Sequence, residues 1–233
     1  MKTVLKLIQL EFKKVRFSGY IRGIIIANVL IALFVTGITF LEQLEGIYAF
    51  QTYEEAFSLI NVLVQVTFVV FAAVLIARLV IEEYKHKTIT VMFSYPIQRK
   101  KLFAAKLIIV FFFTFVTILL SNAFVTTAFF FLSEHFSLVP DQLSHYLLID
   151  HAKSLLISTA TSSGISLAPV YFGMLKKSVP TTIVSGLLLI AIVTSNNNGF
   201  SLSSITIIPV TLACIGILLA YLTFRNIEEA DVL

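Results

Sequence analysis

Charged residues are distributed so that the chain contains five long runs without Asp, Glu, Lys or Arg. A helix needs about 20 mostly apolar residues to cross the hydrocarbon core of a bilayer. The runs contain 19, 22, 27, 22 and 47 residues, and they are Gly23–Leu41, Ala56–Ala77, Leu107–Ser133, Ser154–Leu175 and Ser178–Phe224. The last run is long enough for two spans, with the polar cluster Thr194–Gly199 as the turn between them. The sequence therefore predicts an all-α integral membrane protein with six transmembrane helices.

The composition supports one membrane domain. The chain is 58% hydrophobic and 13% charged, with a mean hydropathy of +0.96, a balance that excludes a soluble globular domain. The segments between the runs are too short to fold as a separate aqueous domain. We expect a single domain over residues 1–233, with spans at about 21–41, 58–78, 102–132, 154–175, 180–195 and 204–224.

Residues 1–17 have the pattern of an amphipathic helix. Apolar residues recur at spacings of four, three, four and three, at Met1, Leu5, Ile8, Phe12 and Val15. Such a helix lies in the membrane interface, with its lysines toward the lipid headgroups.

The basic residues predict the orientation, because cytoplasmic loops carry an excess of Lys and Arg. With both termini inside, 16 of the 17 basic residues lie on the cytoplasmic side and only Lys153 lies outside. Membrane insertion and contact with anionic lipid explain this basic inner face. We therefore expect lipid as a partner and no nucleic acid.

The longest polar inner segment between spans is Glu82–Lys101. Pro96 lacks a backbone N–H and disfavours helix at the residue before it. We expect one or two helical turns, a break at Tyr95–Pro96 and a basic re-entry into the third span.

The fourth span is unusually small and polar. Hydroxyl and small residues let helices approach closely and hydrogen-bond across a bundle, so we favour packing as their role. The alternative is a face lining a translocation pathway, for which the candidates are Ser158, Thr161, Ser162 and Ser166. Pro169 is expected to bend this helix.

Metal and redox chemistry find little support in the sequence. His135, His145 and His151 occur in or beside the outer loop before the fourth span without an established ligand spacing, so we predict no metal site. The single cysteine, Cys214, has no partner for an intrachain disulfide.

The residues around the segment Glu82–Lys101 resemble a known pattern. Two acids end the second span, E-Y-K-H-K-T-I follows, S-Y-P-I-Q-R contains the proline, and A-A-K opens the third span. This resembles the permease subunits of type 2 ATP-binding-cassette (ABC-2) exporters, and in particular the small bacterial permeases of bacitracin and lantibiotic export or immunity.

The resemblance implies that the segment is a cytoplasmic coupling helix that docks on an ATPase. A glycine common in that family near Lys87–Thr88 is absent here. The coupling role would belong to Glu82, Glu83, Tyr84, Lys87, Thr88, Pro96 and Arg99.

The resemblance also implies partners. The chain has no G-x-x-x-x-G-K-[ST] phosphate loop, so we expect it to hold no cofactor and to be no enzyme itself. ATP and Mg²⁺ would bind a separate cytoplasmic ABC ATPase, present in two copies. A second permease subunit, identical or related, would complete the pathway in a bacterial inner or plasma membrane.

The expected function is ATP-driven export of an amphipathic or hydrophobic substrate, such as an antimicrobial peptide or toxin. An ion or proton path would favour ionisable residues in mid-membrane, and we expect none well inside a span. Two alternatives remain open, a membrane-embedded enzyme and a non-transporting assembly or sensor subunit. The enzyme would need a catalytic group of residues at membrane depth, which the sequence does not offer.

Overall fold

The structure is a computed structural model that describes residues 17–85, 99–141, 145–194, 196–197, 200–201 and 207–226. The expected amphipathic helix falls on residues 1–17 and therefore lies almost entirely outside the described residues. Positions 86–98, the middle of the segment Glu82–Lys101, also lie outside the described residues.

The regular secondary structure of the described residues is helical apart from one short strand pair. Its α-helices are α1 (Phe17–Leu44), α2 (Tyr53–Ile76), α3 (Glu82–Lys85), α4 (Arg99–Phe136), α5 (His145–Ile165), α6 (Pro169–Lys176), α7 (Val179–Thr194) and α8 (Ile207–Asn226). A π-helical turn, Ala77–Ile81, joins α2 to α3 and is called the π turn below. β1 (Asn196–Asn197) pairs antiparallel with β2 (Phe200–Ser201) just after α7.

Five helical stretches are long and apolar enough to cross a membrane: Gly19–Leu44, Tyr53–Ile81, Lys101–Phe136, Tyr146–Lys176 and Ile207–Arg225. The all-α, multi-span class is thus confirmed. Where the fifth of six spans is expected, the chain forms α7, an apolar helix of only 16 residues. At 1.5 Å per residue α7 is about 24 Å long, shorter than a typical hydrocarbon core.

The start of α2 shows why helices begin where they do. Thr52 Oγ1 accepts a hydrogen bond from the Glu55 backbone N–H at 3.4 Å. The Glu55 carboxylate in turn accepts one from the Gln51 backbone N–H at 2.9 Å. This is a variant of the capping box, which satisfies backbone donors that have no partner in the first helical turn.

The fourth expected span is interrupted near Pro169. α5 ends at Ile165, and α6 begins at Pro169. Between them the backbone tightens, because Leu167 N–H donates to the Gly164 carbonyl and Ala168 N–H to the Ile165 carbonyl. These bonds span three residues rather than four, as in a 3₁₀ turn.

The chain forms two compact units. The Lys106 unit contains the described residues in 68–115 and 160–226, and its largest fully buried side chains are Phe68, Leu75, Ile76, Ile81 and Ile190. The Asn61 unit contains those in 17–67 and 116–159, and its largest fully buried side chains are Phe57, Ile60, Ile118, Phe129, Leu138 and Val35.

Two helices leave most of their apolar surface uncovered. In the most apolar stretches of α1 and α8, only 17% and 28% of the residues are buried, against 50–67% in the other three candidate spans. Exposed apolar side chains such as Leu33 and Leu218 suit contact with lipid or with another membrane subunit.

Candidate functional site

The C-terminal end of α2 is a π turn rather than a plain helix end. The Glu82 backbone N–H donates to the carbonyl of Ala77, five residues earlier, which is the hydrogen bond that defines a π-helix. Arg78 is exposed, while Ala77, Leu79, Val80 and Ile81 are buried. Single π turns inserted into α-helices occur frequently at functional sites.

Lys106 approaches this turn from α4. Only 3% of the residue is exposed. Its Nζ donates a hydrogen bond of 2.7 Å to the carbonyl of Leu79 and forms an ion pair with the Glu83 carboxylate. A buried ammonium is tolerated only when it is paired and hydrogen-bonded. One side chain of α4 therefore connects the π turn to α3.

Glycines hold α6 and α7 close to this site. A Cβ atom on Gly173 would collide with Thr182 Oγ1 and lie 2.9 Å from Ile81 Cδ1, a residue of the π turn. A Cβ on Gly186 would lie 2.8 Å from that of Ala73. Such short distances occur only where backbones pack closely, so α6 and α7 fix the position of the π turn.

The predicted coupling residues fall on both flanks of the segment Glu82–Lys101. Glu82 is exposed in α3, whereas the side chain of Glu83 is 16% exposed and paired with Lys106. Tyr84 belongs to α3, and Arg99 is the first residue of α4. Lys87, Thr88 and Pro96 lie outside the described residues. The coupling role of all seven residues stays a prediction.

The burial of Lys106 was not evident from the sequence. The charge pattern groups this residue with the bases at the inner surface. It lies within the candidate span Lys101–Phe136 and is buried. One signal was present, since the apolar stretch Leu102–Ala105 separates Lys106 from the basic cluster Arg99–Lys101 by a helical turn.

The candidate pathway residues of the fourth span are largely covered by the chain itself. Thr161, Ser162 and Ser166 are buried, and the Ser166 hydroxyl donates to the Ser163 carbonyl at 2.7 Å. Ser158 is half-buried and donates to the Leu155 carbonyl at 3.1 Å. These positions favour the packing role, and a pathway role stays a prediction.

A second polar cluster lies in the Asn61 unit, inside the spans. The side-chain oxygen of Asn61 accepts hydrogen bonds from Gln65 Nε2 at 2.9 Å and from Asn122 Nδ2 at 3.3 Å. Ser158 Oγ lies 3.4 Å from the Asn61 amide. Asn122 is fully buried, and its own side-chain oxygen has no hydrogen-bond partner. The cluster joins α2, α4 and α5 through uncharged groups.

This cluster was not expected from the sequence. Asn61 and Gln65 are four residues apart and so share one helix face, which was the available signal. Asn122 is the only residue with an amide side chain in the uncharged run Leu107–Ser133, and nothing in the sequence pairs it with Asn61.

The loop histidines are divided between two helices, with His135 in α4 and His145 and His151 in α5. His135 is exposed near the end of α4, and His151 packs its ring against Phe57, with ring centroids 4.9 Å apart. The side chain of His145 lies outside the described part. Within the residues that the structure describes, no group of three His, Cys, Asp or Glu side chains could hold a metal ion.

Comparisons with known proteins relate this architecture to a family. Residues 7–194 match the model of the ABC-2 family transporter proteins. The chain is also 42% identical, over 227 residues, to the uncharacterized protein YcbO of Bacillus subtilis (strain 168), a match that covers 97% of this chain and 100% of that protein. No solved structure matches the chain.

Proposed function

Because this chain belongs to the ABC-2 family of transporter proteins, and is thus a multi-pass transmembrane transporter subunit, we propose that it is the permease of an ATP-driven exporter. Two permease subunits, identical or related, form the pathway between them. Two copies of a cytoplasmic ATPase bind ATP with Mg²⁺ and drive the cycle by shifting the permease between conformations.

One observation carries this proposal beyond the family match. The segment Glu82–Lys101 has its two flanks fixed to each other, because Lys106 of α4 is bonded to Leu79 and Glu83. An ATPase that pushes on this segment therefore acts on the bonded residues Leu79, Glu83 and Lys106, which connect two membrane helices. Glu82 is exposed beside them and is available to a docking partner.

The motor belongs to another polypeptide. The sequence contains no phosphate loop of the Walker A type, whose backbone N–H groups and lysine would hold the nucleotide. The chain therefore contributes the membrane pathway and the coupling segment, and its partner contributes ATP hydrolysis.

The cargo is an amphipathic or hydrophobic molecule, such as an antimicrobial peptide or toxin. Support comes from the polar cluster around Asn61, where amides and hydroxyls rather than charges occur at membrane depth. An ion path would favour ionisable side chains at this depth instead.

No observation favours the enzyme alternative. A nucleophilic serine would have to donate its hydroxyl proton to a base, whereas Ser163 of α5 donates to the Ala160 carbonyl at 2.8 Å. The proton of this hydroxyl is thus engaged with the backbone of its own helix.

Affinity purification of the tagged full-length chain from its native host in mild detergent tests the partner. We expect a stoichiometric ABC ATPase, and a second membrane protein in the eluate would distinguish a heterodimer from a homodimer. The absence of an ATPase, in a preparation that retains other membrane complexes, would contradict the proposal.

Growth assays test the cargo. A strain lacking the chain should become more sensitive to bacitracin or to a lantibiotic than the complemented strain. Equal sensitivity to a panel of such peptides would remove antimicrobial peptides from the proposal and leave the transporter assignment standing.

A further inference from the structure

We infer that Lys106 is a positioning residue. When the coupling segment, Glu82–Lys101, is displaced, the bonds of Lys106 make α2 and α4 move together. The inference rests on the proposed function and deepens it. It assigns to Lys106 a role in coupling that the match to the permease pattern did not include.

The geometry supplies the first argument. Lys106 lies 27 residues after Leu79 and 23 after Glu83, and the two acceptors lie on opposite sides of the junction between the π turn and α3. One ammonium group thus holds the last buried turn of α2 and the first turn of the coupling segment. A displacement of Glu83 pulls on α4 directly, without having to travel through positions 86–98.

The chemistry supplies the second argument. Hydrogen bonds between charged groups are short, strong and directional, so they fix positions better than apolar contacts do. For stability alone such a pair has little advantage, since replacing a buried ion pair by apolar residues of similar volume is often neutral or stabilising. A buried pair at the base of the coupling segment is therefore better explained by positioning than by stability.

The surroundings supply the third argument. Ile81, in the same π turn, packs against Gly173 of α6 at a distance that leaves no room for a Cβ. The turn is consequently held on one side by α6 and α7 and on the other by Lys106. Movement of Lys106 has to be accompanied by movement of the turn, because packed interiors shift between discrete arrangements rather than deform continuously.

The experiment uses the complex of the full-length chain with its co-purifying ATPase. In a Cys214→Ala background, Glu45→Cys provides one exposed reporter thiol for a membrane-impermeant maleimide. The labelling rate is measured without nucleotide and after trapping with ATP and vanadate. We expect trapping to change the labelling rate by at least about fivefold in the parent complex, the size of a modest coupling free energy.

Three variants then separate positioning from stability. Lys106→Arg keeps a positive charge and donors for both acceptors, so it should retain more of the nucleotide response than a neutral substitution does. Lys106→Met should abolish the response. The double variant Glu83→Leu/Lys106→Met removes both charges of the pair, so it should fold, yet still give no nucleotide response. Lys176→Met, which removes an exposed lysine, is the matched control.

The double variant decides the outcome, even if Lys106→Met alone fails to fold. A normal nucleotide response in the double variant would overturn the inference, because the pair would then be dispensable. Loss of the fold or of ATPase binding in the double variant would also overturn it, since the pair would then act in stability or docking. A parent complex with no ATPase or no nucleotide response would contradict the proposed function instead.

Discussion

At the residue scale, the cost of burying polar groups explains which side chains matter. Lys106 is buried with two acceptors, one of them charged, and the electrostatic penalty of burial is met by its partners. Asn122 is equally buried but leaves its side-chain oxygen without a hydrogen bond. The bonds of Lys106 fix one geometry. Asn122 instead leaves an acceptor inside the Asn61 unit that can accept a hydrogen bond from another donor.

Lys177 has an unfavourable backbone conformation that a substitution can relieve. It ends α6 with a φ of 46°, in the left-handed region that favours glycine, and its N–H donates to the Gly173 and Met174 carbonyls. We expect Lys177→Gly to stabilise the protein by about 0.5–1 kcal/mol, because glycine adopts this conformation without a steric penalty. The midpoint of SDS-induced unfolding in mixed micelles measures the change.

Lys176→Gly is the matched comparison for this prediction. Lys176 is the last residue of α6, so glycine there should destabilise the helix by about 0.5–1 kcal/mol. Two shifts of the same sign would contradict the assignment of the helix end at Lys177.

At the element scale, close backbone approach holds α5 against α8 in the Lys106 unit. A Cβ on Gly216 would lie 2.5 Å from the Gly164 carbonyl oxygen, and a Cβ on Gly164 would lie 2.8 Å from that of Ala213. Helices in membranes associate through small residues of this kind, because lipid provides no hydrophobic drive for them to pack.

We expect Gly216→Ala to destabilise the protein by about 1–3 kcal/mol, the usual cost of overfilling a packed interior. Gly37→Ala in α1 should be neutral or stabilising by up to about 1 kcal/mol, since no atom lies within 4 Å of its Cβ position and alanine favours helix. SDS unfolding midpoints compare the two variants, and equal effects would argue against the close crossing of α5 and α8.

The segment Glu82–Lys101 gives a second prediction at the scale of elements. Combining Pro96→Leu with Lys87→Glu removes the expected break and reverses a charge in the segment Glu82–Lys101. We expect membrane insertion to be normal while export, or the association and activity of the ATPase, is lost. Unchanged resistance to the exported compound in this variant would show that the segment does not couple.

At the scale of the whole molecule, the charge distribution predicts the orientation in the membrane. Placing both ends inside leaves Glu45 outside and Lys177 inside, because loops rich in lysine and arginine stay in the cytoplasm. In a Cys214→Ala background, the thiol from Glu45→Cys should react with an impermeant maleimide in intact cells. The thiol from Lys177→Cys should react only after the membrane is permeabilised, and the opposite pattern would invert the topology.

The membrane class, the main helices and the interruption at Pro169 follow from the sequence alone. Each depends on local pattern, because a span must satisfy its backbone hydrogen bonds internally and present about 20 apolar residues to lipid. The charge pattern also distinguishes Glu82–Lys101 as the longest polar inner segment between spans.

Contacts between residues on different helices depend instead on the tertiary structure. The partners of Lys106 are 23 and 27 residues away, and Asn61 lies 61 residues from Asn122. None of these separations along the sequence corresponds to a helical period, since such pairs depend on how α2 and α4 align after each has formed. The π turn belongs to the same class, because its extra residue is accommodated by the packing of Ile81 against α6 and by the bond from Lys106 to Leu79.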